Sequence, residues 1–261
     1  MIKFEHTDVL GWEHAIRGMR NPYSVDGAEN NSWDKSDSHW DYVNQGPEYL
    51  VVDYFDDAQF SIGPNDQDLM KRLRNGGPVH AKYRRMITVY VDITAPLYWW
   101  KEFDTYKVGT VANSCSTMHK IHAKEFTMED FSYEHLNDDC VACNVVYGDH
   151  SDYLSSLDIL KYTIEGLNYW RRRYLATKDK EDWWQMIQLL PSSYNQKRTV
   201  MLNYEVLAGI YRSRKDHKLD EWRELCKWIE GLPYSEIITG IEPVQVEEQD
   251  TFDIPDRPMK P

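Results

Sequence analysis

The chain has 261 residues, of which 41% are hydrophobic and 28% charged, so it can bury a substantial core as one domain or as a domain with decorations. Its net charge of −13 excludes a duplex nucleic-acid binder, which needs a basic surface, but not a binder of single nucleotides. No apolar run approaches the roughly 18 residues that span a bilayer, the start MIKFEHTDVLGWEH lacks the apolar centre of a signal peptide, and four cysteines form no disulfide framework, which makes a reducing cytoplasm the expected location.

Taken in chain order, residues 2–5 are a short apolar start and residues 8–20 have helical spacing. A polar stretch over 21–46, rich in Asn, Ser and Asp, reads as a loop or insertion. A helix is marked within 61–77: Asn65 or Asp66 can cap it, Leu69 and Leu73 share a face, and Gly76-Gly77 stop it. Residues 86–94 alternate, with Ile87, Val89, Val91 and Ile93 on one face, the pattern of a half-buried strand. Pro96 then suits the first turn of a helix over 96–104. Beyond it, Asn113-Ser114-Cys115-Ser116 is a cluster of small polar residues whose N–H groups and hydroxyls can meet an anion.

Residues 119–150 hold His119, His122, His135, Cys140, Cys143 and His150. Cys140-Val-Ala-Cys143 has the spacing of zinc ligands or a redox pair, without a second pair to complete a site. Leu154, Leu157, Leu160, Ile164 and Leu167 predict a long amphipathic helix over 151–177, followed by helices over 181–190, 199–214 and 219–229. The acidic, proline-containing tail, 236–261, reads as extended or disordered beyond a single domain over 1–235. Aromatics reach 13%, with 10 Trp and 18 Tyr, which suits a planar ligand, a subunit interface or an aromatic core.

The strand, the helix and the polar cluster together resemble the signature region of the flavin-dependent thymidylate synthases. In that family a helix ends in arginine-histidine-arginine, and a serine follows seven residues later within asparagine-glutamate-any-serine-glycine-arginine-tyrosine. Here the triplet falls on Thr105-Tyr106-Lys107 and the run on Asn113-Ser114-Cys115-Ser116-Thr117-Met118-His119, with eight residues between Lys107 and Ser116. Gly77-Pro78-Val79-His80, Leu190-Pro191, Asn203, Arg214 and Glu221-Trp222-Arg223 resemble further family elements in the same order, across about residues 1–232. Only Lys107 of the triplet keeps a charge, and Ser114 and Met118 stand where the family has glutamate and arginine.

The resemblance implies an α/β (α+β) fold with a twisted, largely antiparallel sheet flanked by helices. It implies reductive methylation of dUMP to dTMP with FAD, using NADPH and methylenetetrahydrofolate as co-substrates, in a homotetramer with composite sites and no cysteine nucleophile. The implied FAD contacts are His80, Thr105, Tyr106, Lys107 and Asn203; the implied nucleotide contacts are Glu102, Asn113, Ser114, Cys115, Ser116 and Arg214, with Ser116 and Arg214 in the catalytic roles. No metal is implied. Two alternatives stay open: a divergent flavoenzyme acting on a pyrimidine, and a non-catalytic oligomeric binding protein that kept the fold.

Overall fold

The computed structural model describes residues 2–23, 35–42 and 58–241. Most of the loop expected over 21–46, and the tail beyond residue 241, lie outside the described residues; within the described part, residues 39–42 are a strand and not a loop. A four-stranded antiparallel sheet is built from β1 (Lys3–Leu10), β4 (Thr88–Pro96), β5 (Val111–Ser114) and β8 (Asn195–Asn203), in the order β1-β4-β8-β5. Two two-stranded antiparallel sheets stand apart from it: β2 (His39–Tyr42) with β3 (Ala58–Ser61), and β6 (Val141–Tyr147) with β7 (His150–Ser155).

The alternation over 87–93, which begins just before the start of β4, decides which way the sheet faces. Ile87, Val89, Val91 and Ile93 are all at most 1% exposed, and in β8 Val200 and Leu202 join them in register opposite Val91 and Val89. Helices cover this face: α1 (Trp12–Arg20), α2 (Pro64–Asn75), α3 (Leu97–Phe103), α7 (Tyr204–Arg214), α8 (Asp220–Glu230) and the short α9 (Glu236–Thr239). The opposite face is polar. Asp92 accepts hydrogen bonds from Thr199 and Lys197, and Lys197 also reaches Glu5. A second apolar cluster joins α5 (Ser156–Thr177) and α6 (Lys180–Leu189) to the segment 121–131. Buried Asn168 fixes that junction, accepting from the Phe126 N–H and donating to its carbonyl.

Five expectations are corrected. Residues 8–10 finish β1, and Gly11 separates them from α1. Pro96 ends β4 and caps α3 from outside, so the helix begins at Leu97. Residues 150–155, including Leu154, are strand β7, and the helix starts at Ser156 behind a capping box of Ser155 and Asp158. Residues 199–203 belong to β8, because the segment is needed between β4 and β5, and tertiary pairing overrides local helical spacing. Finally, the packed unit runs past residue 235: Glu236–Thr239 form α9, with Ile237 fully buried. The helices over 96–104, 181–190 and 219–229 stand with ends moved by one or two residues.

The cap of α2 comes from elsewhere in the chain. Gly63 is the cap residue and offers no side chain, while the Asp37 carboxylate accepts the N–H groups of Asn65 (2.8 Å) and Asp66 (3.2 Å). A Cβ on Gly63 would sit 2.1 Å from the Asp37 carboxyl carbon, so only glycine lets the carboxylate in. Asp66 is not a cap but a fully buried hub for Arg20, Ser36 and Ser38. Burial raises the pKa of Asp37, but the donated N–H groups outweigh it and leave the carboxyl below its usual range. Asp37→Ala is expected to cost about 1 kcal/mol, measured as a lower urea midpoint at pH 7. A group with a lowered folded pKa stabilises above its unfolded pKa, so the difference from wild type should shrink as pH falls through the carboxylate range.

Candidate functional site

The site begins where β4 hands the chain to α3. Trp99, Trp100 and Phe103 turn inward, and Trp99 packs against Phe103 (5.0 Å between ring centres) and Trp222 (4.9 Å). This leaves Glu102 on the outer side of the helix, at the mouth of an aromatic wall. Its carboxylate accepts from Trp222 Nε1 at 2.9 Å and from Arg214 Nη1 at 3.0 Å, with His217 Nε2 3.8 Å away. Arg214 also donates through Nε to the Tyr106 hydroxyl (3.0 Å), and its guanidinium lies 4.6 Å from the centre of the Trp222 ring. Glu102, Tyr106 and Arg214, expected at the site, are therefore one bonded group. The charge of Arg214 is largely matched by Glu102, so it is not the isolated cation that its position in the sequence implies.

After α3 the chain loops back through residues 105–110. Thr105 caps the helix end, donating to the Glu102 carbonyl at 2.7 Å, while Lys107 is exposed with no partner among the described residues. Gly109 sits at φ +76° and its Cβ would lie 2.9 Å from the side-chain nitrogen of Asn203, so a larger residue there would push the loop off α7. Asn203 caps α7 through Oδ1, which accepts from the Val206 N–H at 3.0 Å. Next to Gly109 in the chain, the buried Thr110 hydroxyl has no hydrogen-bond partner among the described residues. Asn203 and Lys107 thus border the same loop. His80 does not join them within one chain: it occupies an exposed turn, with its ring against Gly76.

The small polar cluster is a strand edge rather than a loop. Asn113 and Ser114 pair with Thr199 and Arg198, and the Cys115 N–H donates to the Lys197 carbonyl (3.0 Å). Ser116 then caps α4 (Thr117–Lys120), its hydroxyl accepting from the His119 N–H. Cys115 and Ser116 line a cleft of about 520 Å³ with Lys120, Lys124, Gln196 and Lys197, a volume within the range of ligand pockets. Lys124 is paired with Asp130, and Lys197 with Glu5 and Asp92, while Lys120 has no partner among the described residues. Arg214 does not line this cleft.

Gln196, Lys197 and Arg198 escape sequence reasoning, because Thr199 to Arg214 has the spacing of a helix. Arg198 lies opposite Ser114, stacks 4.1 Å above Trp100 and donates to Asp104 at 2.7 Å. The β-branched pair Thr199-Val200 and the spacing of Gln196, Val200 and Leu202 were the available signal for a strand. Cys140 and Cys143 are exposed and free, and among the described residues no group of three or more His, Cys, Asp or Glu could hold a metal. No described helix is long and apolar enough to cross a membrane.

The sequence matches no protein-family model and none of the curated proteins. The structure does have solved neighbours. A flavin-dependent thymidylate synthase ThyX from Helicobacter pylori, solved with FAD and dUMP, aligns over 91% of this chain and 96% of its own, with a TM-score of 0.52 and 13% identity. The UMP/dUMP methylase PolB from Streptomyces cacaoi, bound to 5-Br dUMP, aligns over 92% and 95%, with a TM-score of 0.52 and 11% identity. The chain has the mixed helix and antiparallel-sheet fold of these proteins, as its strand–helix–cluster order led us to expect.

The Glu102–Arg214 pair is partly exposed, with side-chain exposures of 39% and 21%, which puts its coupling between surface and buried pairs. A double-mutant cycle with Glu102→Gln and Arg214→Met should give a coupling of about 1–2 kcal/mol in urea unfolding. Independent, additive effects would show that the pair is incidental.

Proposed function

We propose that this chain is a flavin-dependent enzyme of the thymidylate synthase type that modifies the pyrimidine ring of a deoxyuridine nucleotide, with dUMP to dTMP as the reaction, and NADPH and methylenetetrahydrofolate as co-substrates. The observation that carries this reading is a fold shared over nine-tenths of its length with proteins solved with FAD and dUMP, combined with the cleft that Cys115 and Ser116 open at the edge of β5.

Flavin binding is supported by donors left over in the loop around Gly109. The buried Thr110 hydroxyl lacks a partner among the described residues, and Asn203 spends only its oxygen on the α7 cap. An isoalloxazine edge presents acceptors of the kind these groups need. Lys107 adds one charge, and Thr105 and Tyr106 add the backbone of the loop. When bound, FAD supplies the hydride chemistry; the protein's part is to orient the two partners and keep water out. Ser114 and Ser116 offer hydroxyls to the nucleotide phosphate, with Asn113 beside them on the strand and Lys120 as the uncommitted cation of the cleft. Glu102 holds Arg214 and Tyr106 in place.

Ser116 and Arg214 belong to different parts of one chain, which favours a composite site in a homotetramer, with His80 and Arg214 contributed across subunit boundaries. Light scattering at micromolar concentration should give a mass of four chains, and a monomer would remove the composite site.

The internal use of Thr105, Tyr106 and Arg214 favours one other reading, a non-catalytic oligomeric protein on the same fold. Colour separates the two. Purified protein should be yellow, or become so with added FAD, and should oxidise NADPH when methylenetetrahydrofolate and dUMP are present; colourless protein that takes up no FAD decides for the alternative.

A thiol reagent gives a local readout. Cys115, Cys140 and Cys143 are exposed, whereas Cys226 is buried, and burial pushes its thiol up to about 11. Native protein should therefore label at three cysteines, and saturating dUMP should slow labelling of Cys115 at least tenfold while sparing Cys140 and Cys143. Equal rates with and without dUMP would remove the nucleotide from this cleft.

A further inference from the structure

A second cleft, of about 370 Å³, opens between the end of α2, the later turns of α7 and α9. It lies toward the opposite end of α7 from Asn203. Four cations line it, Arg74, Arg84, Arg212 and Lys215, and among the described residues no carboxylate does. That is unusual on a chain with 43 acidic and 30 basic residues.

The four charges are not equally free. Arg84 is buried, ion-paired with Glu205 at 2.7 Å, and donates to the Ile237 carbonyl. Arg74 is fixed by neutral groups only: Nη1 donates to the Glu236 carbonyl, while Nε and Nη2 donate to Asn75 Oδ1. Its charge is oriented and has no acidic partner among the described residues. Arg212 in the last turn of α7 and Lys215, which caps its end, are exposed and have no partner among the described residues. Tyr211 forms part of the wall with its hydroxyl committed to Glu230 at 2.6 Å.

A simpler role for these cations is to offset the C-terminal dipoles of α2 and α7. Each helix end carries roughly half a negative charge. With the end of the short α9, which also lines the cleft, these ends offset at most about one and a half of the three cations that lack an acidic partner among the described residues, so a net positive surplus remains within one concavity. In a cleft walled by protein such a surplus concentrates anions strongly. Arginine forks and a lysine suit phosphoryl oxygens, and a surplus of this size calls for several of them.

We propose that this cleft binds a polyphosphate chain, either free or carried by a nucleotide, at a place separate from the Cys115–Ser116 cleft. The proposal stands on the cleft alone and does not depend on the flavin reading.

Calorimetry on the full chain with inorganic tripolyphosphate and with ATP, both free of divalent metal, tests it. One tripolyphosphate should bind per chain, more weakly as salt is raised. Arg212→Gln with Lys215→Gln should weaken binding by about tenfold or more for each charge removed. Both side chains are exposed, so the fold should survive, and unchanged circular dichroism checks this. Lys227→Gln, which removes a charge elsewhere on the surface, should leave the affinity unchanged. Equal affinities for ATP and tripolyphosphate would mean that the phosphate chain alone is read, and tighter ATP binding that a nucleoside is held as well. Absence of saturable binding to wild type, or undiminished binding to the double variant, overturns the proposal.

Discussion

Glu102 is the group on which the candidate site depends. One carboxylate accepts from α8 through the Trp222 indole and from α7 through Arg214, while Arg214 reaches the loop after α3 through Tyr106. Three helices and a loop are thereby held at one point. The geometry follows from packing: Trp99, Trp100 and Phe103 fill the inner side of a helix of only seven residues, which leaves Glu102 facing outward. Without a partner, Arg214 would be a half-buried cation against an aromatic face; paired, it becomes part of the framework.

How much of this was legible in the sequence depended on how local the deciding physics was. β4 was readable because its period of two coincides with burial on one face, and α8 because its apolar stripe is complete within eleven residues. β8 was not. Thr199 to Arg214 contains enough apolar residues at helical spacing to imitate one helix, and only pairing with β4 on one side and β5 on the other makes the first five of them a strand. The same error hid Gln196, Lys197 and Arg198. α9 was obscured by its surroundings: four residues at the head of an acidic, proline-containing stretch carry no pattern of their own, and burial of Ile237 and Ile238 among α2, α7 and α8 defines them.

Within the site, residue types were legible and their partners were not. Glu102, Tyr106 and Arg214 were all identified, from the family resemblance, as ligand contacts, yet they bond mainly to each other. The serines of the polar cluster were identified too, but the cations near them, Lys120, Lys197 and Arg198, come from a helix and a strand whose approach only the folded sheet reveals. A motif specifies which chemistry is available. Which of its groups remain unspent is a property of the tertiary structure.

β5 has only four residues, all exposed, and pairs on one side with β8 at the margin of the sheet. Short marginal strands detach at low free energy, far below that of global unfolding. The strand that presents Asn113 and Ser114 is thus also among the elements most readily released from the sheet. Affinity for any ligand held at this edge would therefore include the free energy of holding β5 in register, and a contact that docked the strand more firmly would raise affinity without touching the ligand.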